Sequence, residues 1–469
     1  MNAARQSDIL SRPLRVSENR RFLETADGAP FFWLADTAWE LIHRLDRTDI
    51  EKYLEDRHAK GYNVIQTVAL AELAGLTEPN LDGELALLDR NPATPNPRYF
   101  DLVDWVIDRA ASYGMRLALA PTWGAYITGG WGGETIIFDE KNAFAFGQWL
   151  GERYRDRGIA WLNGGDTNPL WRKPLAGDGP LTDSTAVFDA LAEGIVAGGG
   201  ADQFILYHPT ALSLPGSPPA LSSEYFGDRK WLSANAMQSG HGQHKPEVGW
   251  DSTRNYEPIT TMWNASPTRP VLDLENHYED FWIDFDEANR MWDDADVRNG
   301  AYQAVFAGAA GATYGNWNVW QMHDTHQAIL RPFTNTWRES LHSIGSGQLV
   351  HLKQLMLSRP YLNRVPAPEL VVGDPGGGEE HVAATRDADG SYLMVYSPFG
   401  RPVDVDLSAL KGADRHGWWF SAVDGTVREL DVASAGGEST QRFKPPTAGR
   451  GNDWVLVVDA ENFRPPGTL

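Results

Sequence analysis

Residues 160–171 read AWLNGGDTNPLW, and this stretch decides how the rest of the chain is interpreted. The apolar run Ala160–Leu162 is typical of a buried strand, and it breaks into Asn163, two glycines and one carboxylate, Asp166. Aspartate is rarely buried without a partner, so a strand that ends by presenting one indicates a functional site. The two glycines permit a sharp turn and leave space beside the carboxylate for a ligand.

Seven further apolar strands alternate with amphipathic helices between residues 31 and 345. They read PFFWLADTAW, NVIQTVAL, MRLALAPTW, QFILYHPT, AMQSGHG, RPVLDLENHYE and ATYGNWNVWQM. Eight strand–helix units in succession predict an α/β fold, a (β/α)8 TIM barrel. AMQSGHG is preferred to LSSEYFG as the sixth strand because its apolar run ends in a polar turn, as the others do. An open doubly wound sheet is the alternative, but no G-x-G-x-x-G follows the first strand.

The character of the sequence changes after Pro360. Short strand-like segments follow one another, separated by turn signals such as Asp389-Gly390, and no long helical period is present. We therefore predict two domains. Residues 1–360 form a catalytic (β/α)8 barrel with a short N-terminal β-hairpin, and residues 361–469 form a small antiparallel β-sandwich.

Composition restricts the partners. The 469 residues carry a formal net charge of −22 without any basic run, which argues against nucleic acid or an anionic membrane as a partner. The absence of cysteine excludes disulfides, thiolate catalysis and zinc–thiolate sites. The N-terminal residues lack an apolar signal-peptide core and no segment approaches the ~20 apolar residues of a membrane span, so we expect a cytoplasmic protein. The 19 tryptophans favour aromatic platforms for sugars beside ordinary core packing.

Function in such a barrel lies at the C-terminal ends of the strands, where two carboxylates stand out. Asp166 follows strand four and Glu275 follows strand seven, across the mouth of the barrel. Glycoside hydrolysis needs such a pair: one acid protonates the leaving oxygen while the other attacks the anomeric carbon or activates water. Each residue also has a structural alternative. Asp166 could cap the next loop or pair with Arg172, and Glu275 could pair with Arg269 or a histidine. Their joint placement favours the catalytic interpretation.

A metal site built from histidines is the main alternative to the carboxylate pair. Five of them could approach one another in the predicted barrel: His208, His241, His244, His323 and His326. Imidazoles and an aspartate can hold a metal. However, strand one is not followed by the H-x-H that metal-dependent barrel hydrolases commonly use, so we expect no catalytic metal. Ser239 near His241 lacks a G-x-S-x-G elbow, which disfavours serine catalysis. A carbohydrate-binding protein on a barrel that no longer catalyses is the remaining alternative.

Six segments in order along the chain resemble the apiosidase-like glycoside hydrolases, glycoside hydrolase family 140. They are FFWLADTAWEL, GYNVIQTVAL, WLNGGDTNP, MQSGHG, PVLDLENHYE and GATYGNWNVWQM. The resemblance runs from residue 12 to 360, and the tail resembles the collagen-binding-type β-sandwich that often follows such barrels. It implies a retaining exo-acting enzyme without a cofactor. Its substrate would be a plant-derived glycoside or a pectin fragment, and the sugar released would be apiose.

Carried over position by position, the resemblance makes Asp166 the acid/base and Glu275 the nucleophile. The residues that it implies around the sugar are Asp36, Trp123, His208, His241 and Tyr278. The ends of strands four and eight add Asn163 and Trp317 to the predicted substrate-binding residues. From its position alone, Asp36 would either cap a helix or bind a substrate hydroxyl. Asn276 follows Glu275 where the family often has proline, so the loop and the sugar can differ here.

Overall fold

The computed structural model describes residues 8–131, 135–172, 181–213, 217–243, 251–324, 330, 335–412, 414–433 and 439–469. Eight parallel strands in these ranges alternate with helices and confirm the predicted (β/α)8 barrel. The strands are β1 Trp33–Thr37, β2 Val64–Leu70, β3 Arg116–Thr122, β4 Ala160–Gly164, β5 Phe204–His208, β6 Asn235–Gln238, β7 Val271–Glu275 and β8 Gly311–Asn316.

The main helices cover the outside of the barrel. They are α1 Arg47–Ala59, α2 Pro97–Ser112, α3 Glu140–Tyr154, α4 Thr185–Gly199, α5 Ser222–Phe226, α6 Tyr256–Trp263, α7 Asp294–Phe306 and α8 Leu349–Leu357. Shorter helical turns lie at Leu41–Arg44, Ala125–Thr128, Trp317–Trp320 and Trp337–Ser340. α2 shows the local cause of such a helix. Asn96 accepts the amide of Arg98 at 3.2 Å, Pro97 occupies the first turn, and one side of the helix is apolar and buried.

Hydrogen bonds run through the strand order β5-β4-β3-β2-β1-β8 and on to a two-residue strand, Tyr278–Glu279, which pairs parallel with the end of β8. β6 pairs with β7. Two backbone bonds of 2.8 Å join these parts, from Ser233 to Ile205 and from Ala310 to Val271. The sequence preference for the sixth strand is confirmed, because β6 contains AMQ and the alternative LSSEYFG contributes helix α5. The C-terminal ends of all eight strands therefore meet at one mouth.

The predicted N-terminal hairpin is a small antiparallel sheet of three strands rather than two. Its strands are Arg15–Val16, Leu23–Glu24 and Pro30–Phe31, and Leu23 pairs with Phe31. The third strand leads directly into β1.

Two antiparallel sheets follow the barrel. The larger has the order β9 Arg364–Pro366, β11 Ala383–Asp387, β12 Tyr392–Ser397, β17 Trp454–Asp459, β14 His416–Ser421 and β15 Val427–Leu430. The smaller contains β10 Val371–Val372, β13 Val403–Asp406 and β16 Thr440–Phe443. Alternate residues of β12 serve two cores. Leu393 and Val395 pack toward the smaller sheet, while Met394 and Tyr396 join the core of the barrel.

Buried ion pairs fix the barrel to the two sheets. Arg298 of α7 contacts Asp453 at 2.9 Å, and Arg359 contacts Asp459 at 2.7 Å. All four side chains are at most 2% exposed. Within the described ranges, no helix has both the length and the apolar character needed to cross a membrane.

Candidate active site

A cleft of about 620 Å³ opens where the C-terminal ends of the barrel strands meet, and both predicted catalytic carboxylates line it. Asp166 comes from the loop after β4, and Glu275 is the last residue of β7. Four of the aromatic side chains around them come from the segments after other strands: Trp39, Trp123, Trp131 and Trp317. The fold therefore converts two distant positions in the sequence into neighbours in one cavity.

The turn that presents Asp166 depends on its glycines. Gly164 and Gly165 have φ angles of +98° and +116°, and Asp166 itself is left-handed with φ +46°. A Cβ atom on Gly164 would lie 2.6 Å from the carbonyl oxygen of His208, and one on Gly165 would lie 3.0 Å from the ring of Trp123. Larger residues would thus be strained and would clash, so the two glycines place Asp166 at the edge of the cleft.

Glu275 is held by one oxygen and leaves the other unbonded. Its Oε1 accepts Gln238 Nε2 at 2.9 Å and lies 3.1 Å from His241 Nε2. Its Oε2 is buried and has no hydrogen-bond partner among the described residues. Glu275 is 5% exposed, so Gln238 and His241 orient this carboxylate through one oxygen and leave the other available to react.

Two histidines face Glu275 with their Nε2 atoms, and His241 is within hydrogen-bond distance of it. The amide of Tyr278 donates to His241 Nδ1 at 3.3 Å, which leaves a proton on the Nε2 that faces Glu275. In the same way, the amide of Asp166 donates to His208 Nδ1 at 3.4 Å, and His208 Nε2 lies 3.6 Å from Glu275 Oε2. His208 therefore contacts the backbone of Asp166 and lies close to the side chain of Glu275.

The two carboxyl groups have pKa values shifted in opposite directions. Burial, followed by the charge of Glu275, raises the pKa of Asp166 far above its ordinary value, against smaller lowering effects from its hydrogen bonds. Burial alone would also raise the pKa of Glu275. The hydrogen bond and charge of His241, the charge of His208 and the Tyr278 hydroxyl outweigh it and lower that pKa. Near neutral pH one group is therefore protonated and the other ionised, which is the division that an acid and a nucleophile need.

Aromatic side chains form the inner wall of the cleft. Trp123 packs edge-on against Trp39 with ring centroids 5.2 Å apart, and Trp39 Nε1 donates to the Tyr278 hydroxyl at 3.2 Å. Trp317 stacks on Phe281 with centroids 3.7 Å apart. The flat faces and few polar tips of this wall suit a sugar, which has both C–H faces and hydroxyls.

The structure brings seven of the nine predicted site residues together. Asp166, Glu275, Trp123, His241, Tyr278 and Trp317 line the cleft, and His208 lies directly behind the two carboxylates. The other two residues lie elsewhere and are corrected here.

Asp36 does not reach the cleft. It is fully buried within the barrel, where its Oδ2 accepts Arg57 Nε at 2.6 Å and the Tyr53 hydroxyl. Asn163 is also fully buried; its Nδ2 donates to the Phe188 carbonyl at 2.9 Å. Both side chains therefore support the fold instead of binding the substrate.

Several cleft residues were missed by sequence reasoning. Gln238 was placed in the sixth strand but not in the site. A bulge in the β6–β7 pairing sets Gln238 opposite Glu275, and this register shift leaves no sequence signal. Trp39 and Thr210 end predicted strand segments and Trp131 follows one, so their positions at the mouth could have identified them.

Of the structural alternatives for Glu275, the pairing with a histidine is present, through His241 and His208, whereas Arg269 has other partners. Arg269 donates to three backbone carbonyl groups and not to Glu275. Ser239 Oγ donates to Asp273 at 2.7 Å, which uses its hydroxyl in a buried network. His244 and His326 of the rival metal site lie outside the described residues. Within the described residues, no three metal-ligating side chains group together.

Comparison with known proteins gives two family matches along the chain. Residues 17–363 match the model described as "Apiosidase-like, catalytic domain", and residues 365–459 match "Putative collagen-binding domain of a collagenase". Comparison with curated proteins gives no match.

Solved structures share the architecture over nearly the whole chain. One described as "Glycoside hydrolase" is 30% identical, with a TM-score of 0.83 over 96% of this chain and 97% of its own. A glycoside hydrolase family 5 protein from Bacteroides vulgatus is also 30% identical, with a TM-score of 0.80 over 96% and 93% of the two chains. A third glycoside hydrolase structure from the same species, at 13% identity and a TM-score of 0.66, shares the fold.

Proposed function

The chain belongs to the apiosidase-like glycoside hydrolases, and we propose that it releases a terminal sugar, with apiose as the first candidate, from plant-derived glycosides or pectin fragments. The reaction is a double displacement with retention of anomeric configuration. Asp166 serves as the acid/base and Glu275 as the nucleophile. Attack at the chain end and the choice of apiose rest on the family likeness, whereas the assignment of the two carboxyl groups rests on their surroundings.

In the first step, the unbonded Glu275 Oε2 attacks the anomeric carbon while the bond from that carbon to the glycosidic oxygen breaks. The proton of Asp166 passes to this oxygen, so the leaving group departs as a neutral alcohol. The products are a glycosyl ester on Glu275 and an ionised Asp166.

In the second step, the Asp166 carboxylate takes a proton from water as the water oxygen attacks the same carbon. The ester bond to Glu275 breaks, and the free sugar and both original protonation states are restored. The same carboxyl group thus acts as acid and then as base.

The opposite pKa shifts of the two carboxyl groups in one cleft carry this proposal. Geometry supports it, because Gln238 and His241 bind only Oε1 of Glu275 and orient Oε2 without blocking it. Gln238 and the two histidines therefore stabilise the ionised form of Glu275.

A panel of 4-nitrophenyl glycosides tests the proposal: the apioside, arabinofuranosides, galactoside, glucoside and rhamnoside. We expect the wild type to release one of these sugars and Glu275→Gln to release none. Glu152→Gln, on an exposed position of α3, is the matched control and should keep full activity. Equal hydrolysis by wild type and Glu275→Gln would contradict the assignment. Hydrolysis that stops on chelation with EDTA would favour a metal-dependent enzyme instead.

A further inference from the structure

Trp131 differs from the other tryptophans of the cleft. Its side chain is 43% exposed, whereas Trp39 and Trp317 are 2% and 6% exposed. It nevertheless lines the same cavity as Asp166 and Glu275. A large exposed indole at the rim of a reactive cleft indicates a surface that contacts a ligand.

The indole is anchored from two sides. Its Nε1 donates to the backbone oxygen of Asp166 at 3.1 Å. Behind it, Trp171 is 1% exposed and packs edge-on, with ring centroids 5.2 Å apart and planes at 83°. Trp171 is itself held by a 3.0 Å hydrogen bond to the carbonyl of Gly130. The exposed ring is therefore fixed in place, and stacking on it costs little conformational entropy.

The anchor on Asp166 also indicates which part of a substrate Trp131 meets. The acid has to reach the glycosidic oxygen, so the group attached beyond that oxygen lies on the acid's side of the cleft. Trp39 belongs to the nucleophile's side, where its Nε1 donates to the Tyr278 hydroxyl and Tyr278 adjoins Glu275. The terminal sugar and the leaving group thus meet different aromatic side chains.

Resting on the proposed function, we propose that Trp131 determines leaving-group specificity. Its exposed indole is the platform for the first ring beyond the scissile bond. The ligand chemistry is a flat apolar ring face, supplied either by the aromatic ring of a phenol or by the C–H face of a second sugar. Trp131 acts by binding this ring, and it takes no part in proton transfer.

Four substrates of the released sugar separate these roles: the glycosyl fluoride, the methyl glycoside, the 4-nitrophenyl glycoside and the glucose-linked disaccharide. The fluoride has no ring beyond the bond and needs no proton from Asp166. The methyl glycoside needs the proton but has no ring. The last two present a ring, one aromatic and one saccharide. The variants are Trp131→Ala, Trp131→Phe and, as the control, Phe144→Ala, which removes a 38% exposed aromatic ring from α3.

For Trp131→Ala we expect kcat/KM to fall about 10- to 50-fold on at least one of the ring-bearing substrates and less than about 3-fold on the fluoride and methyl glycoside. A fall confined to the nitrophenyl glycoside would identify a phenolic ring, and one confined to the disaccharide would identify a second sugar. Trp131→Phe should retain most of the ring preference although it cannot donate to Asp166. Phe144→Ala should match the wild type on all four.

Two results would overturn the proposal. An equal loss on the methyl glycoside would show that Trp131 acts by orienting Asp166. Unchanged rates on both ring-bearing substrates would show that the indole binds no leaving group. Failure of the proposed function is distinguishable from both, because the wild type would then hydrolyse none of the four substrates.

Discussion

Asp36 and Asp166 both come after apolar residues of barrel strands, yet their carboxyl groups have different charged neighbours. Asp36 is fully buried against Arg57, whose Nε lies 2.6 Å away. Within the described part of the chain, Asp166 forms no ion pair with lysine or arginine. Its hydrogen-bonding neighbours include Thr210, Gln238 and Trp131, and the charge that shifts its pKa is the negative one on Glu275. The difference teaches that a buried acid with a fixed counter-charge stabilises the barrel, whereas one that faces another acid is set up to exchange a proton.

Loss of the nucleophile should have the largest effect. In Glu275→Ala, kcat should fall by at least about 10⁴-fold because no glycosyl ester can form. Added azide should restore turnover by entering the vacated space, and the glycosyl azide should have inverted configuration. Steady-state rates and the NMR spectrum of the product check this. Activity within tenfold of the wild type would contradict the role of Glu275.

Loss of the acid should depend on the leaving group. In Asp166→Ala we expect kcat/KM on the methyl glycoside to fall by about 10²–10⁴-fold, because nothing protonates the departing oxygen. The loss on a 2,4-dinitrophenyl glycoside should be much smaller, since that group leaves without a proton. Azide should here give a product of retained configuration. An equal loss on both substrates would instead indicate a general disturbance of the cleft.

Arg57→Met tests the structural role of Asp36, because it removes the partner of that buried carboxylate. Removing the cation leaves Asp36 buried without its counter-charge, and the free energy of unfolding should fall by about 3–5 kcal/mol. The double variant Asp36→Asn/Arg57→Met should recover part of this loss. Chemical denaturation measures the stability, and an activity assay at low temperature should give near wild-type turnover per folded molecule. A loss of turnover in the folded variant would place Asp36 in the reaction after all.

The pH dependence of kcat/KM compares the two catalytic carboxyl groups in the unaltered protein. Glu275 must be ionised, and its pKa is lowered, so kcat/KM should fall only as the pH drops below the ordinary range of a glutamate. Asp166 must be protonated, and its pKa is raised, so kcat/KM should fall as the pH rises through that elevated value. A bell-shaped curve results. In Asp166→Ala the alkaline limb should disappear; its persistence would assign that limb to another group.

The barrel could be predicted from the sequence because its strands are short apolar runs that end in polar turns. Parallel strands share one orientation, so the ends of strands four and seven, with Asp166 and Glu275, had to emerge at the same mouth. The weakest strand signal, AMQSGHG, still gave β6 correctly because its polar turn follows the same pattern.

What the sequence could not predict depends on partners distant along the chain. Asp36 lies near the end of β1, where a ligand-binding residue is expected, but Arg57 of α1, 21 positions later, pairs with it inside the barrel. Gln238 reaches Glu275 only through a bulge in the strand pairing. The local pattern of apolar and polar residues predicts neither a salt bridge between distant elements nor a register shift in strand pairing.

The central claim is that Glu275 Oε2 forms a covalent bond to the sugar while Asp166 supplies and recovers the proton. Incubation with a 2-deoxy-2-fluoro glycosyl fluoride of the released sugar, followed by peptide mass spectrometry, tests it most directly, because the fluorine slows release of the intermediate. The account predicts one fluoroglycosyl group per chain, on the peptide that contains Glu275, and none in Glu275→Gln. An adduct on another residue, or no adduct together with an inverted product, would contradict it.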